Sequence, residues 1–283
     1  MKIYLVKSDI NLFAIYHTMY SNADIEMWYD WDRRLQDTKW TDQCYFLILD
    51  GKKIGGAVIT DEKIMYPFLI SPFCDRVQFW DHLLKHSPRK MIQGALDLDS
   101  SILPMFGYKA MGTFRLLCRP SDIIDISLPD GFFCRPLDMD TDAAEYSRVY
   151  VESNTGRFCF EKYGEETHEE AITEAKRILG IYSAMNLSIV IVEKTSNQMV
   201  AACTAGIAEY HALGFAEIAD IFVLPQYSGR GIGKYMLSHI ITQAYGIAPF
   251  VKLGVDMGNP SEYLYYKMGF IAGPRFTTME KHA

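Results

Sequence analysis

The chain has 283 residues, and at roughly 150 residues per domain this length predicts two domains or one large one. Hydrophobic residues make up 49% of the chain and charged residues 22%, which excludes wholesale disorder and a fibrous architecture. Because 28 Lys and Arg stand against 35 Asp and Glu, the net charge of -7 provides no general attraction to nucleic acid or to an anionic membrane surface.

The six cysteines occur singly, without a C-x-x-C pair. Neither a zinc ribbon nor a redox motif is therefore encoded, and no metal is expected. The N-terminal residues meet charge after a few apolar positions, and no run approaches the roughly 18 apolar residues of a membrane span. We expect a cytoplasmic protein with reduced thiols and no membrane partner.

The first half reads as short strands with helical patterns between them. Apolar runs at 45–49 and 54–59 flank Asp50-Gly51, which predicts a hairpin because this dipeptide accepts positive φ. The pattern then predicts further elements, namely a strand at 65–70, a helix at 77–84, and strands at 91–98 and 113–118. Prolines and small polar residues at 120–130 predict a linker, which divides the chain into domains 1–125 and 126–283.

The second half repeats this order of elements. The predicted elements are a strand at 132–135, helices at 141–152 and 168–179, and strands at 187–193, 199–210, 215–224 and 251–256. Two units of similar element order indicate an internal duplication in an α/β protein.

Residues 220–235 carry the most informative pattern. A β-branched and aromatic strand runs into a turn with three glycines, and a helix with an apolar face follows. Glycines let successive backbone N–H groups approach an anion, the helix N-terminus adds partial positive charge, and Arg230 and Lys234 add full charges. The segment therefore predicts an anion-binding site.

The glycine spacing disfavours two common phosphate loops. A Walker loop needs G-x-x-x-x-G-K followed by Ser or Thr, but Gly229 lies only four residues before Gly233, and Tyr235 follows Lys234. A dinucleotide fingerprint needs G-x-G-x-x-G, whereas the spacing here is G-x-G-x-G. Neither nucleotide hydrolysis nor dinucleotide binding is favoured.

The run Gln226-Tyr227-Ser228-Gly229-Arg230-Gly231 resembles the coenzyme A loop of the GNAT N-acetyltransferase superfamily, whose pattern is Gln or Arg, two residues, Gly, one residue, Gly or Ala. Residues 259–270, which run from Asn259 through Tyr265 to Gly269-Phe270, resemble that family's Asn-to-Tyr-to-Gly-Phe segment. The resemblance implies an α/β (α+β) fold of two tandem GNAT-like domains, each a mixed, mostly antiparallel twisted sheet flanked by helices.

Residues 259–270 also contain local signals for the start and end of a helix. Asn259, with Pro260 after it and Glu262 three residues on, predicts a capping-box start for a short helix, and Gly269 predicts its end. The resemblance adds that Asn259 helps to hold the cofactor.

The resemblance further implies acetyl-CoA as the co-substrate. In this family the strand before the glycine loop splays from the next strand, and the pantetheine arm lies in the gap. By position, the main chain of Ile221, Phe222 and Val223 would bind the arm. The residues that would cradle the pyrophosphate are Ser228, Gly229, Arg230, Gly231, Ile232, Gly233 and Lys234.

The implied reaction is direct attack of a primary amine on the thioester. An alkylamine has a pKa of about 10.4, so a proton must first be removed. Glu217 falls where some family members place a general base, and Asp220 or a water chain is the alternative. Strand alternation places Glu217 and Asp220 on opposite faces unless a bulge intervenes. Tyr265, rather than Tyr266, matches the family Tyr that protonates the departing thiolate.

The first half resembles a degenerate copy of the same fold. Residues 71–77, where the phosphate loop would lie, contain no glycine and include Pro72, so we expect one cofactor site per chain. The alternatives to an N-acetyltransferase are a non-catalytic acyl-CoA-binding or sensing protein and a nucleotide-binding regulator. The acceptor, a small-molecule amine or an amine of a peptide or protein, and the oligomeric state are not determined by the sequence.

Overall fold

The computed structural model describes residues 2–20, 41–182, 184–207 and 215–282. The chain divides into two compact units, Met1–Leu116 with Gly273–Ala283 and Leu117–Ala272. These units differ from the division predicted at residue 125 mainly in the C-terminal strand, which groups with the first unit because it pairs with a strand there. The roles of the two halves, one degenerate and one catalytic, stay predictions.

Strands and helices are interspersed along the whole of the described chain. The strands are β1 (Ile3–Lys7), β2 (Cys44–Leu49), β3 (Lys52–Ile59), β4 (Lys63–Leu69), β5 (Met91–Leu96), β6 (Tyr108–Pro120), β7 (Phe132–Pro136), β8 (Met185–Asn186), β9 (Ile189–Glu193), β10 (Met199–Ile207), β11 (Phe215–Val223), β12 (Phe250–Asp256) and β13 (Ile271–Lys281). The α-helices are α1 (Ile10–Tyr20), α2 (Arg76–His86), α3 (Asp97–Ile102), α4 (Met139–Asn154), α5 (Phe158–Tyr163), α6 (His168–Ile181), α7 (Ile232–Ala244) and α8 (Glu262–Lys267), with 3-10 turns at Leu103–Phe106 and Pro225–Tyr227.

The first unit has the strand order β1-β2-β3-β4-β5-β13-β6. The pairs β1–β2, β2–β3, β3–β4 and β5–β13 are antiparallel, while β4 and β5 are parallel and are joined through α2. The predicted Asp50-Gly51 hairpin is confirmed, since both residues have positive φ, 46° and 81°, between β2 and β3. The sheet of this unit is therefore mixed and mostly antiparallel.

The second unit has the strand order β12-β11-β10-β9-β7, with β8 also paired to β10. Again one pair is parallel, β11 with β12, and α7 connects these two strands. Every residue of β10 is buried, as expected of a central strand that is covered on both faces. The fold class implied by the resemblance is confirmed, with a mixed, mostly antiparallel sheet and flanking helices.

The helix after the glycine turn packs against this sheet with the predicted apolar face. The buried members of that face are Met236, Leu237, Ile240, Ile241 and Ala244, and they belong to the same core cluster as the interior of β9, β10 and β11. This packing fixes the start of α7 at the end of β11. The N-terminus of the helix therefore has a defined position relative to that strand.

Two observed elements differ from those that the sequence predicts. The predicted strand at 199–210 is observed to residue 207, and residues 208–210 lie outside the described residues. The short helix α5 was not predicted. Within the described ranges, no helix is both long enough and apolar enough to cross a membrane.

Candidate functional site

The strands β11 and β12 form a fork. They pair in parallel from Phe215 opposite Phe250 to Ile218 opposite Leu253, and in the described residues the pairing ends there. Both strands continue beyond this point, β11 to Val223 and β12 to Asp256, while β11 remains paired with β10 on its other edge. The backbone edge of β11 beyond Ile218 therefore faces a gap instead of a neighbouring strand.

A bulge coincides with the point where the strands part. The register between β10 and β11 shifts so that Thr204 opposes Asp220 and Ala205 opposes Ile218, which leaves Ala219 as the extra residue. Bulges bend a strand and increase its twist. The sequence left the relative orientation of Glu217 and Asp220 dependent on such a bulge, and the bulge is present.

A cavity of about 990 Å³ occupies the fork. Its walls come from β11 at 218–223, from the glycine turn and the start of α7 at 227–234, from β12 and α8 at 253–265, and from α4, α5 and their connection at 150–161. A volume of this size is at the upper end for small-molecule sites. All of these walls belong to the second unit.

The glycine turn contributes Ser228, Gly229 and Gly231 to the lining of this cavity. Gly229 and Gly231 have φ of 78° and 88°, values that favour glycine, and Gly231 is the N-cap of α7. Within the described residues, no backbone acceptor is found for the N–H groups of 229–231, and the first N–H groups of a helix have no partner inside it. Donors without a partner at the N-terminus of a helix, together with the helix dipole, favour the binding of an anion.

Of the predicted cofactor residues, the cavity brings together all but one. Those that line it are Ile221, Phe222, Val223, Ser228, Gly229, Gly231, Ile232, Gly233, Lys234 and Asn259. Arg230 is not part of the lining, and its guanidinium lies 5.0 Å from the centre of the Tyr227 ring. The turn fits a phosphate-bearing group because Gly229 and Gly231 line the cavity without a Cβ, and their N–H groups have no backbone acceptor among the described residues.

Glu217 lies outside the cavity lining. Its Oε1 is 3.2 Å from the Nζ of Lys252, a side chain that is only 1% exposed. The same ammonium lies 4.9 Å from the centre of the Phe215 ring. A buried cation is held by this carboxylate, so the structure gives Glu217 a charge-pairing role.

Asp220, in contrast, lines the cavity and is half-buried. Burial raises the pKa of its carboxyl to about 6, while a hydrogen bond from the Thr204 hydroxyl opposes that rise. The Asp220 N–H donates to the same hydroxyl oxygen at 3.0 Å, which fixes the residue in place. Burial, and next the nearby Asp220 carboxylate, raise the pKa of the Tyr146 and Tyr150 hydroxyls, so both stay protonated at neutral pH.

The two adjacent tyrosines of α8 have different environments. Tyr265 lines the cavity and is 6% exposed, and burial raises the pKa of its hydroxyl above the usual range. Tyr266 is 41% exposed, and its hydroxyl donates to Glu262 at 2.6 Å. A buried phenol that stays protonated is suited to donate a proton.

Asn259 orders the turn before α8 rather than the first turn of the helix. Its Oδ1 accepts the N–H of Ser261 at 2.9 Å, and α8 begins at Glu262 with Ser261 as the N-cap. The predicted capping box is therefore wrong. The physical reason is that the Asn259 side chain bonds two residues on, before the helix starts. Gly269, with φ of 83°, follows the helix as predicted.

The sequence missed the wall that α4 and α5 supply. Ser153, Arg157 and Cys159 line the cavity from this side, and no motif marks them. One available signal is the pair of glycines around α5, Gly156 and Gly164, both with positive φ. Glycines that flank a short apolar run are typical of a helix bounded by sharp turns.

The comparisons with known proteins agree with this geometry. The profile of the acetyltransferase (GNAT) family matches residues 148–270. This range includes the fork, the glycine turn and α8. The chain therefore contains a domain of the GNAT family, and membership supports an acyltransferase activity in general. No protein of curated function matches the chain significantly.

Solved structures are similar to the chain over nearly its whole length. A GCN5-related N-acetyltransferase from Sphaerobacter thermophilus is 16% identical, with 99% of this chain and 95% of that chain covered and a TM-score of 0.65. A GNAT-family acetyltransferase from Colwellia psychrerythraea is 13% identical, with 100% of both chains covered and a TM-score of 0.57. A tandem GNAT protein from the clavulanic acid biosynthesis pathway is 11% identical, with 98% of both covered and a TM-score of 0.51. At these identities the similarity concerns the fold.

Proposed function

We propose that this protein transfers an acetyl group from acetyl-CoA to a primary amine by direct attack on the thioester. The observation that carries the proposal is the open fork between β11 and β12, which ends at a glycine turn with free backbone donors. An extended acyl-bearing arm fits between parted strands, whose edge groups supply hydrogen bonds. A diphosphate fits the turn at the N-terminus of α7.

Asp220 is the general base that this geometry favours, with Glu217 as the candidate taken from the resemblance. With a pKa of about 6, Asp220 is mostly ionised at pH 7 and accepts a proton from the acceptor ammonium, directly or through water. The amine lone pair then forms the C–N bond. Glu217 is already paired with Lys252, so its use as a base requires that pair to break.

Tyr265 is the proposed general acid. As the C–S bond breaks, its hydroxyl donates a proton to the departing sulfur, and the proton that the new amide nitrogen loses replaces it through solvent. The net products are the N-acetylated amine, free coenzyme A and one proton. Burial keeps the Tyr265 hydroxyl protonated until the thiolate forms.

The acceptor class is a primary amine of a small molecule, peptide or protein, and we expect the reaction to take place in the cytoplasm. None of the six cysteines forms a disulfide, which fits a reducing compartment. Burial raises the pKa of the Cys159 thiol, the carboxylates of Asp256 and Asp220 raise it further, and the ammonium of Lys162 opposes that rise. Because Asp256 is paired with Lys162, the carboxylate of Asp220 on the cavity wall is the charge that favours an acceptor arriving as an ammonium ion.

Calorimetric titration with acetyl-CoA, ATP and NAD in parallel, followed by an assay of coenzyme A release, tests the proposal. We expect saturable binding of acetyl-CoA alone, and release of coenzyme A that depends on an amine from a panel of diamines, amino acids, aminoglycosides and peptides. Binding without release for any amine would instead identify an acyl-CoA-binding or sensing protein. No binding of acetyl-CoA by the folded protein would overturn the proposal.

A further inference from the structure

The central strand β10 buries one hydroxyl, that of Thr204. Its neighbours along the strand are apolar or small, and Thr204 itself is 0% exposed. A buried hydroxyl is destabilising unless it is hydrogen-bonded, so such a group indicates a specific set of partners. The main partner of Thr204 is Asp220, which lies opposite it at the bulge beside the cavity.

Every hydrogen-bonding position of this hydroxyl is used. Its oxygen accepts the N–H of Asp220 at 3.0 Å, and its proton is donated to Oδ2 of the same residue at 3.3 Å. The third partner is the hydroxyl of Tyr146, which stays protonated because burial raises its pKa. A hydroxyl has one donor and two acceptor positions. Because Tyr146 and the Asp220 N–H supply two donors, the single proton of Thr204 is directed to the Asp220 carboxylate.

Asp220 is thereby held at two points, its main chain and one carboxylate oxygen. Among the described residues, no hydrogen bond reaches its second oxygen, Oδ1. The bond from Thr204 therefore leaves Oδ1 as the oxygen that can accept a proton. Thr204 is not part of the cavity lining, so it acts only through Asp220.

We propose that Thr204 is a positioning residue for the general base, and that its hydroxyl holds the Asp220 carboxylate in the arrangement that accepts a proton from the amine. This proposal rests on the proposed function. A hydrogen bond donated to a carboxylate favours its ionised form. Loss of the hydroxyl should therefore raise the pH at which Asp220 becomes a base.

Other titratable groups also act on Asp220. The carboxylates of Glu174 and Glu166 raise the pKa of Asp220, and the guanidinium of Arg177 lowers it. The uncharged groups around it are Tyr146 and Tyr150 of α4, Cys159 of α5, Cys203 of β10 and Tyr265 of α8. A substitution at Thr204 leaves all of these side chains in place, so a shift in the pH dependence is assigned to the lost hydroxyl.

The chain offers a matched control in Ser188, which is 3% exposed. Its Oγ accepts the N–H of Ala205, the next residue of β10 at the bulge, at 3.0 Å, and donates to the carbonyl of Ala205 at 3.1 Å. Thr204→Val and Ser188→Ala each remove a buried hydroxyl that accepts a strand N–H. Only Thr204→Val also removes a hydrogen bond to the Asp220 carboxylate.

Steady-state kcat between pH 5 and 8 for the wild type, Thr204→Val, Thr204→Ser and Ser188→Ala, with thermal melting of each, tests the proposal. For Thr204→Val we expect the midpoint of the rise in kcat to move up by about one pH unit, which lowers the rate about fivefold at pH 6 and far less at pH 8. Thr204→Ser keeps the hydroxyl and Ser188→Ala keeps the bond to Asp220, so both midpoints should stay within about 0.3 pH units of wild type. Thr204→Val and Ser188→Ala should both melt below wild type, because each leaves a buried N–H without that acceptor.

Thr204→Cys is the second variant for the case in which Thr204→Val does not fold. A thiol is a weaker hydrogen-bond donor than a hydroxyl. The midpoint of Thr204→Cys should therefore lie above that of the wild type and below that of Thr204→Val.

Three results would overturn the proposal. The first is an unchanged midpoint in folded Thr204→Val, or in Thr204→Cys where only that variant folds. The second is an equal shift in Thr204→Ser or Ser188→Ala, which indicates a general effect of altered packing. The third is a rise with pH that survives in Asp220→Asn, which makes another group the base. Failure of the wild type to release coenzyme A with any amine would contradict the proposed function itself, and is distinguishable because all three results above require an active wild type.

Discussion

The two units contain the same kind of fork, and only one of the forks is open. In the first unit β4 and β5 pair in parallel up to Met65 opposite Gln93, and the next residues are Tyr66 and Gly94. A Cβ on Gly94 would lie 3.4 Å from the ring of Tyr66, so the tyrosine ring occupies the space where the strands part. In the second unit the residue at the matching point is Ala219, which lines the cavity. The first fork thus holds a tyrosine ring at the point where the second fork has an alanine.

The helices that follow the two forks also begin differently. In the first unit Asp75 is the N-cap of α2, and its carboxylate accepts the N–H of Gln78 at 2.9 Å. In the second unit Gly231 occupies the N-cap position of α7 and makes no side-chain hydrogen bond. A carboxylate at the N-terminus uses a donor and repels a phosphate, whereas glycine leaves both the donors and the dipole available.

The first unit also lacks counterparts of the proposed general base and general acid. Counted from the last paired residue of each fork, Asp220 corresponds to Pro67, which has no titratable group. Counted back from the glycine that ends the short helix, Tyr265 corresponds to Leu103, which has no hydroxyl. We therefore propose that the first unit is a copy that lacks the cofactor site and the acid and base, and that each chain binds one acetyl-CoA.

The largest expected effect follows from removing the charge of Asp220, whose counterpart in the first unit is the uncharged Pro67. Asp220→Asn should lower kcat about 10²- to 10⁴-fold because it removes the general base. In the wild type, kcat should rise with pH through about 6, since the carboxylate must be ionised to accept a proton, and the variant should lose this rise. Steady-state rates between pH 5 and 8 measure both effects.

Glu217→Gln is the control for Asp220→Asn. It removes one carboxylate from the same strand and leaves Lys252 buried without that charge, so we expect a lower melting temperature and a rate within about threefold of wild type. The opposite result, a large loss of rate in Glu217→Gln with Asp220→Asn active, would make Glu217 the base and leave Asp220 as a structural residue.

A second substitution places a tyrosine in the fork of the second unit, at the position that corresponds to Tyr66 in the first unit. Ala219→Tyr should raise the Kd for acetyl-CoA at least about 100-fold, because the ring would fill the fork as Tyr66 does. Ala219→Ser keeps the fork open and should bind like wild type. Calorimetry on both variants measures the effect, and tight binding by a folded Ala219→Tyr would show that the ligand does not lie between these strands.

A smaller effect is expected from removing the hydroxyl of Tyr265, the proposed general acid. Tyr265→Phe should lower kcat about 10- to 100-fold and change the Kd for acetyl-CoA little, since the hydroxyl is needed only when the thiolate leaves. Tyr266→Phe removes the neighbouring, exposed hydroxyl and should keep full activity. Equal activity of the wild type and Tyr265→Phe would exclude this tyrosine as the proton donor.

Local patterns in the sequence predicted most of these elements. The Asp50-Gly51 hairpin, the helix after the glycine turn and the end of α8 at Gly269 each depend on the backbone preferences of one or two residues, and each is confirmed. The glycine turn and the Asn259 segment also fall within the residues matched by the family profile. Such features depend on interactions between residues close in sequence, which the sequence displays directly.

The features that define the site depend instead on distant contacts. The parting of β11 and β12 requires two strands separated by α7 to pair over four residues and then diverge. The raised pKa of Asp220 depends on its burial in the folded chain, and the cavity wall that includes Ser153 comes from α4, a helix more than 60 residues before β11. No local pattern of residues encodes these relations, so the sequence ranked Glu217 ahead of Asp220 and did not identify the wall that α4 supplies.

The smallest expected effect concerns the charge at the start of α2. Asp75→Asn keeps a good N-cap, since asparagine caps about as well as aspartate, but removes the negative charge that would repel a phosphate. We expect the melting temperature to change by less than about 4 °C and the stoichiometry of acetyl-CoA to remain one per chain. The charge is only one of the obstacles in this unit, because Tyr66 fills the fork and residues 71–77 contain no glycine. A second equivalent of acetyl-CoA bound by Asp75→Asn would show that this single carboxylate keeps the first unit empty, and that its fork opens when the charge is removed.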